Sequence, residues 1–141
     1  MIILDTTVLS ELMRPVPDER VLEWMDDQPV ASLFTTTVTQ AEILLGVSIL
    51  PDGRRKQDLT AAVDAIFAQD FRTRLLPFDA PAAGAFAAIC SNRMRLVGAR
   101  PISQVDAQIA AIAHSRGASL ATRNTPDFDA YDIQVIDPWK N

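Results

Sequence analysis

The sequence predicts an α/β fold, a three-layer α/β/α sandwich with a mostly parallel central sheet of about five strands. Two observations predict it. Short apolar runs alternate along the chain with longer segments of helical periodicity. The short runs are mostly apolar rather than alternating between polar and apolar residues, which is typical of parallel strands that are covered on both faces. The chain shows no internal repeat, low-complexity tract or linker, so we expect a single domain over residues 1–141.

Five strands and six helices account for this alternation. The predicted strands are the apolar runs Ile2–Leu4, Leu33–Val38, Arg74–Phe78, Ser119–Thr122 and Ile133–Ile136. The predicted helices have apolar residues three and four positions apart and span Leu9–Arg14, Glu19–Asp27, Gln40–Leu50, Arg54–Phe71, Ala82–Val97 and Gln104–Arg116. Proline and glycine mark their ends: Pro15 closes the first helix, Gly98 and Pro101 separate the last two, and Gly117 ends the sixth.

Composition bounds the kind of protein. The 141 residues are 48% hydrophobic, which is enough for one ordinary core. The single cysteine, Cys90, excludes an internal disulfide and suits a reducing compartment. No segment reaches the ~20 apolar residues of a membrane span, and no basic leader precedes the first strand. We therefore expect a cytoplasmic protein without membrane association.

Three acids near helix starts have an ordinary explanation as helix caps. Thr39 and Glu42 are spaced as a capping box, and so are Ser103 and Asp106. Asp127 follows a threonine that suits an N-cap and a proline that suits the first helical position. Taken one at a time, such acids cap helices more often than they bind ligands.

The acids taken together favour a metal site. Asp5, Glu42, Asp106 and Asp127 all lie at or near the start of a helix, and in an open parallel sheet such turns gather at the carboxyl ends of the strands. Four carboxylates at one edge repel one another unless a cation lies between them. Because these oxygen ligands have no histidine or thiolate beside them, they favour Mg²⁺, with Mn²⁺ as a substitute.

Five ordered motifs resemble one family. The segments IILDTTVLSEL, TTTVTQAEILLGV, RLLPFDAPAA, VDAQIAAIA and LATRNTPDF are similar to the successive signatures of PIN-domain ribonucleases, and most of all to the VapC and FitB toxins of bacterial toxin–antitoxin pairs. The resemblance runs over nearly the whole chain, to VIDPWK near its end. It implies a PIN-like fold and a Mg²⁺-dependent endoribonuclease that hydrolyses RNA phosphodiester bonds.

The resemblance also implies roles for single residues. Asp5 and Asp106 would hold the principal ion, and Glu42 would ligate it or orient the attacking water. Asp127 or Asn124 would position a second ion or its hydration shell. Asn124 and Thr6 are the residues we expect to support the ligands or to orient substrate.

The chain departs from the family pattern in two places. The family usually has Asp-Thr-Asn where this chain has Asp5-Thr6-Thr7, so an amide beside the first acid is lost. In the last motif the family places its fourth acid at the position of Asn124 or at that of Asp127, and only the second is an acid here. Either residue could supply the fourth ligand.

The expected partners are a second copy of the chain, an antitoxin and RNA. The early helices carry more apolar residues than a monomer core needs, among them Trp24, Met25, Leu44, Leu45, Ile49 and Leu50. Core packing explains such residues, and a dimer interface or partner groove explains them as well. The resemblance favours a homodimer and an antitoxin that lays an apolar segment near these helices and sends an arginine toward the carboxylates.

The net charge of −5 argues against RNA binding by bulk electrostatics. Without the four site acids, however, the rest of the chain is nearly neutral. The pairs Arg54/Arg55, Arg72/Arg74 and Arg93/Arg95 are placed either to grip phosphates beside the site or to solvate helix faces.

Two other functions remain open from the sequence. Asp5 could be the covalent nucleophile of a phosphatase of the haloacid dehalogenase type, although such enzymes place a second aspartate where this chain has Thr7. The chain could also be a non-catalytic binding module whose acids only cap helices. Stabilisation by Mg²⁺ or Mn²⁺ separates a shared acidic site from independent caps.

Overall fold

The central sheet has five parallel strands, as the alternation predicts. The computed structural model describes residues 1–96, 98, 103–129 and 131–140. Within them the strands are β1 (Ile2–Leu4), β2 (Leu33–Thr36), β3 (Leu75–Leu76), β4 (Ser119–Ala121) and β5 (Val135–Ile136), in the order β3-β2-β1-β4-β5. The chain builds outward from β1 on one side and then crosses to β4 on the other. The switch between β1 and β4 is the place where open α/β sheets form sites.

Six α-helices connect the strands within the described residues. They are α1 (Thr6–Leu12), α2 (Glu19–Asp26), α3 (Thr37–Ser48), α4 (Arg54–Ala65), α5 (Ala80–Arg95) and α6 (Gln104–Arg116). Three short 3₁₀ turns also lie in the described residues, at Val30–Ser32, Thr125–Asp127 and Pro138–Lys140. None of the described helices has the length and apolarity needed to cross a membrane.

Apolar layers on both faces of the sheet complete the predicted sandwich. Consecutive β1 residues point to opposite faces, so Ile3 packs with α5 and α6 while Leu4 packs with α1 to α4. The middle of helix α6 is buried, with Ile109 and Ile112 at its centre. The chain end also joins the core, since Trp139 lies in the same cluster as Leu4. The α/β/α architecture is therefore confirmed.

The start of α3 differs from the prediction. We predicted a strand to Val38 and a helix from Gln40, but β2 ends at Thr36 and α3 begins at the next residue. Thr36 is the N-cap, because its side-chain oxygen accepts a hydrogen bond from Thr39 N at 3.0 Å. The predicted capping box of Thr39 and Glu42 is thus wrong, and Glu42 lies in the second turn of α3.

Most other boundaries move by a few residues. Helix α1 starts at Thr6 rather than Leu9, and α5 starts at Ala80 because Asp79 caps it. The predicted helix Arg54–Phe71 is α-helical only to Ala65 and continues as a π-helical turn, Ile66–Asp70. Strands β3, β4 and β5 are shorter than their predicted ranges.

The prediction for α6 is confirmed at both ends. Ser103 accepts a hydrogen bond from Asp106 N at 3.0 Å, and Gly117 ends the helix in the left-handed conformation at φ 62°. The predicted end of α5 at Val97 and the break at Pro101 lie outside the described residues.

Candidate metal centre

Asp5 occupies the turn from β1 to α1 and caps the helix. Its Oδ1 accepts hydrogen bonds from Thr7 N at 2.9 Å and from Val8 N at 3.2 Å. The backbone N–H of Asp5 continues the sheet by donating to Ala121 O at 3.1 Å. Both the strand and the helix therefore hold this carboxylate at the carboxyl end of the central strand.

Burial of Asp5 disfavours its ionised form. The residue is only 3% exposed, and desolvation raises the pKa of its carboxyl above the ordinary value. Hydrogen bonds from Thr122, Thr7 and Val8 oppose the rise without cancelling it. A buried carboxylate that loses water on folding gains most from a cation placed against it.

Thr7 connects Asp5 to the loop that follows β4. Its hydroxyl donates to Asp5 Oδ1 at 2.5 Å and accepts a hydrogen bond from Arg123 N at 3.1 Å. The loop after β4, which carries Asn124, is thereby tied to the first acid. The threonine at the position of the family's asparagine thus keeps a polar contact with Asp5, and this was not predicted.

Glu42 reaches the same edge of the sheet from α3. Its Oε1 accepts a hydrogen bond from Thr6 Oγ1 at 2.5 Å, and the same hydroxyl lies 3.3 Å from Thr39 Oγ1. Thr6 is the residue directly after Asp5, so the first and second acids lie on either side of one threonine. The structure therefore places Thr6 beside a site acid.

Asp106 lies at the start of α6, which runs back toward β4 and so begins at the same edge. Burial is the main cause that raises the pKa of Asp106, and the charges of Asp127 and Glu42 raise it further. Three acids from α3, α6 and the loop after β4 therefore lie within electrostatic range of one another. Independent helix caps would not be coupled in this way.

The loop after β4 differs from the prediction. Thr125 is not an N-cap of a helix, because residues Thr125–Asp127 form one 3₁₀ turn with no side-chain cap hydrogen bond. Asn124 precedes the turn, and its N–H donates to Thr122 Oγ1 at 3.0 Å. A single turn has little dipole, so the helix-start argument for the charge of Asp127 loses its force.

The residues fit a hard divalent cation only if water or substrate completes its coordination. In residues 1–96, 98, 103–129 and 131–140, no three His, Cys, Asp or Glu side chains are grouped to hold a metal by themselves. Mg²⁺ is usually bound through one or two carboxylates, with waters and substrate phosphates as its other ligands. The oxygen-only donor set and the mutual repulsion at Asp106 match such an open site.

A layer of buried threonines supports the acids, and sequence reasoning missed it. Thr35, Thr36, Thr39 and Thr122 are each fully buried. Thr35 Oγ1 donates to Leu4 O at 2.9 Å, directly before Asp5. The signal in the sequence was the TTT run at the end of a predicted strand, where valine or isoleucine is the usual filling of a buried strand.

A groove of about 910 Å³ adjoins the acids between α1, α3 and α4. Glu42 and Thr6 line it where it meets the site. Its walls are largely apolar, with side chains that include Met13, Ile43, Val47, Leu50 and Leu59. Arg54 and Arg55 also line it.

The arginines that were predicted in pairs lie in different surroundings. Arg74 supports the scaffold, because its guanidinium donates to the carbonyls of Val30, Leu33 and Asp70. Helices α5 and α6 are antiparallel, since Arg116 at the end of α6 pairs with Asp79 at the start of α5 at 3.2 Å. The end of α5, with Arg93 and Arg95, therefore lies near the start of α6 and Asp106.

Comparison with known proteins decides the family. The family model described as PIN domain matches residues 2–134. The chain belongs to the PIN-domain family. Two curated relatives of this PIN domain each cover 99% of both chains: Toxin FitB of Neisseria gonorrhoeae is 38% identical over 139 residues, and VapC ribonuclease Y4jK of Sinorhizobium fredii is 34% identical over 140. The crystal structure of FitAcB from Neisseria gonorrhoeae is 38% identical, with a TM-score of 0.90 and full coverage of both chains.

The raised pKa values predict how pH acts on this PIN domain. In the folded, metal-free state the carboxyls of Asp5 and Asp106 hold protons more tightly than in the unfolded chain. Metal-free stability should therefore fall as the pH rises above the ordinary carboxyl pKa of 3.8 through the raised values. Metal competes with these protons, so the rise in melting temperature caused by Mn²⁺ should grow between about pH 4.5 and about pH 7.5. A rise that is the same at every pH would contradict a site built on these two acids.

Proposed function

We propose that this PIN domain is a Mg²⁺-dependent endoribonuclease that acts in the cytoplasm as the toxin of a toxin–antitoxin pair. One observation carries the proposal: Asp5 is buried at the end of the central strand, and Thr6, the next residue, donates a hydrogen bond to Glu42 of α3 at the sheet edge where α6 begins with Asp106 in its first turn. The names of two relatives, Toxin FitB and VapC ribonuclease Y4jK, support the toxin role and the ribonuclease activity. We further propose that residues 1–141 form a single PIN-like domain.

Each acid has a separate part in the proposed reaction. Asp5 and Asp106 would hold the principal ion. Glu42, oriented by the hydroxyl of Thr6, would accept a proton from the attacking water or ligate the ion. Asp127 or Asn124 would place a second ion or its hydration shell. When bound, the cation supplies positive charge at the scissile phosphate and makes the attacking water more acidic.

The protein also provides the pre-organisation of the site. Backbone and hydroxyl donors fix Asp5 through Thr7 and Val8, so its carboxylate need not reorient when an ion arrives. Arg93 and Arg95 lie in the last turn of α5, at the end of that helix where the antiparallel α6 begins, and would bind the phosphates of a substrate strand. The acidic overall charge is no obstacle, because the site acids account for most of it.

Metal titration tests the proposal. Purified protein should be stabilised by Mn²⁺ or Mg²⁺ and should cleave cellular RNA in their presence, and EDTA should abolish both effects. The binding-module alternative predicts the opposite result. In that case divalent ions would leave the melting temperature unchanged, and the purified protein would not cleave RNA. The phosphatase alternative has little support, since the Thr7 hydroxyl already bonds to Asp5 and to Arg123 N.

The fourth ligand is tested by paired substitutions. We expect Asp127→Ala to raise the Mg²⁺ concentration needed for half-maximal cleavage by about tenfold, because a charged oxygen near Asp106 is lost. Asn124→Ala should change this midpoint less, since a neutral amide oxygen is a weaker ligand. Cleavage measured against Mg²⁺ concentration decides the matter, and an unchanged midpoint for Asp127→Ala would remove this residue from the site.

We propose that the groove between α1, α3 and α4 receives the antitoxin. Its apolar walls suit the apolar face of a short segment, and its junction with Glu42 places an incoming arginine beside the acids. An arginine there would neutralise the carboxylates and compete with metal. The groove thus offers a route by which one partner blocks both substrate and ion.

We also propose that the chain is a homodimer. The outer face of α3 exposes large apolar side chains, with Leu44 at 43%, Leu45 at 63% and Ile49 at 74%. A second copy of the chain would cover such a patch. Light scattering at micromolar concentration tests this point, and a monomer would contradict it.

A further inference from the structure

The large groove between α1, α3 and α4 carries charges of both signs. Glu42 lines it where it meets the site acids, and there the carboxylate accepts the hydrogen bond from Thr6. Three arginines also line the groove: Arg14, Arg54 and Arg55. The directions of the three helices show how these charges are distributed along the groove.

The short connection between α3 and α4 places Arg54 and Arg55 away from Glu42. Ser48, the last residue of α3, lies about 9 Å beyond Glu42 along the helix axis, by the rise of an α-helix. Helix α4 begins beside Ser48, because Lys56 Nζ donates to Ser48 O at 3.0 Å. The first turn of α4 therefore lies at the end of α3 that is remote from the acids.

Arg14 reaches the same remote end from α1. Helices α1 and α3 follow the parallel strands β1 and β2, so they start at the same edge of the sheet and run in the same direction. Thr6 begins α1 beside Glu42, and Arg14 comes just after the end of that helix. The buried carboxylate of Glu11 holds its guanidinium, since Arg14 Nη1 lies 3.1 and 3.3 Å from the two oxygens. We call the three arginines the arginine end of the groove.

The arginine end can bind a carboxylate from another chain. Arg54 and Arg55 are exposed, and the side chain of Arg14 is 63% exposed although it is paired. The pair with Glu11 uses Nη1, so Nε and Nη2 carry three further N–H donors. Asp58, one turn into α4, balances part of the positive charge but leaves an excess of arginines. Guanidinium groups bind carboxylates through two parallel N–H groups.

The walls between the two ends favour a peptide over RNA. The described residues that line the groove include no aromatic ring. Unpaired bases usually bind by stacking on aromatic rings or guanidinium planes, and here the guanidinium groups are confined to one end. The charges of Glu42 and Asp58 also repel a phosphate backbone that follows the groove. A helix with one apolar face and charged residues beside it matches both the walls and the ends.

We infer that the antitoxin proposed above carries, besides its arginine, one or more acidic side chains that bind the arginine end of this groove. Because the arginine lies at Glu42, the opposite charges of the two ends allow one orientation of the bound segment. In a helical segment the acid lies about six to eight positions from the arginine, since the two ends are roughly 9–12 Å apart. The inference rests on the proposed antitoxin and adds the charge pattern by which this chain recognises it.

A displayed peptide library tests this charge pattern without assuming an antitoxin sequence. Its members are amphipathic helices of about 18 residues with a fixed leucine face, and their polar positions vary among arginine, glutamate and glutamine. Selection on the full chain in EDTA should enrich peptides with arginine near one end and glutamate about six to eight positions away. Replacing those glutamates by glutamine in a selected peptide should weaken binding by at least about tenfold.

Charge reversal shows where the glutamates bind. Arg54→Glu combined with Arg55→Glu should weaken binding of the selected peptide by at least about tenfold, and a peptide with arginine in place of its glutamates should restore it. The double variant should keep its melting temperature, because glutamate suits the first turn of a helix. Arg72→Glu is the control, since Arg72 is exposed and does not line the groove, and it should leave peptide binding unchanged.

Three results would overturn the inference: a selection that enriches no such pair, glutamates that can be replaced without loss of binding, or a double variant that the arginine peptide does not rescue. Binding of a fluorescent oligouridylate in EDTA tests an RNA role for the same arginines. We expect Arg54→Gln to bind it within about threefold of the unsubstituted protein. A larger loss would assign the arginine end to RNA instead.

Two results separate this inference from the proposed function. Mn²⁺ stabilisation together with RNA cleavage, but without the charge pattern among the selected peptides, would reject the inference and leave the ribonuclease in place. The charge pattern in a protein that neither binds Mn²⁺ nor cleaves RNA would support the peptide site and reject the catalytic proposal.

Discussion

Asp5→Asn and Asp106→Asn should each lower the rate of RNA cleavage by at least about 100-fold, since even groups that only support a metal ligand contribute about 10–100-fold. The fold should persist, because an asparagine oxygen can still accept the bonds from Thr7 N and Val8 N that begin α1. Asp5→Asn should melt at the same or a higher temperature than the unsubstituted protein without metal, since the buried charge is gone.

The measurements for this prediction are cleavage of cellular RNA, circular dichroism and melting with and without Mn²⁺. Asp64→Asn is the control, because Asp64 is an exposed acid on α4 that lines neither the site nor the large groove. Both site variants should lose Mn²⁺ stabilisation, and the control should keep it. Near-normal cleavage by either folded variant would show that the metal assignment is wrong.

Gly46→Leu should weaken binding of the proposed antitoxin by at least about 100-fold and so release the protein from its proposed inhibitor. Gly46 lines the large groove, and a Cβ at this position would meet no atom within 4 Å. A leucine would therefore occupy the groove rather than strain the protein. Leucine also favours the helix over glycine by about 0.5–1 kcal/mol, so α3 should not lose stability.

Gly84→Leu is the matched control for the groove. Gly84 lies within α5, is exposed, and likewise has open space around its Cβ position. Titration calorimetry with the antitoxin and growth on co-expression should separate the two variants, with only Gly46→Leu escaping inhibition. If Gly46→Leu binds antitoxin normally, the groove is not its site. Loss of RNA cleavage in the same variant would instead mark the groove as a path for substrate.

The fold could be predicted because its strands are short apolar runs, whereas its helices have apolar residues three and four positions apart. The core strand Ile2–Leu4 and helix α6 were predicted at their observed bounds. The strand is a short apolar run, and the helix is bounded by a serine N-cap and a glycine C-cap that are both visible in the sequence. The boundary between β2 and α3 could not be predicted. Threonine suits both a strand and a cap, and only the bond from Thr39 N to Thr36 decides where the helix starts.

The sequence was enough to predict which residues belong to the candidate site, but not which hydrogen bonds they form. Acids near helix starts were predicted to lie at the carboxyl edge of the sheet. In the structure, the charges of Glu42 and Asp127 raise the pKa of Asp106, so the three acids lie within electrostatic range of one another. The contact of Thr6 with Glu42 depends on how α1 packs on α3, and no local pattern encodes that packing.

The hydrogen bond between Thr7 and Arg123 joins residues 116 positions apart, and this has a consequence for synthesis on the ribosome. β4 (Ser119–Ala121) flanks the strand that presents Asp5, and the ribosome makes it only after β1, β2, β3 and all six α-helices. A nascent chain that lacks β4 has neither the completed sheet edge nor the loop that carries Asn124 and Asp127. The proposed activity therefore begins only after β4 and the loop that follows it have been made, so a shorter nascent chain leaves the messenger RNA that encodes it intact.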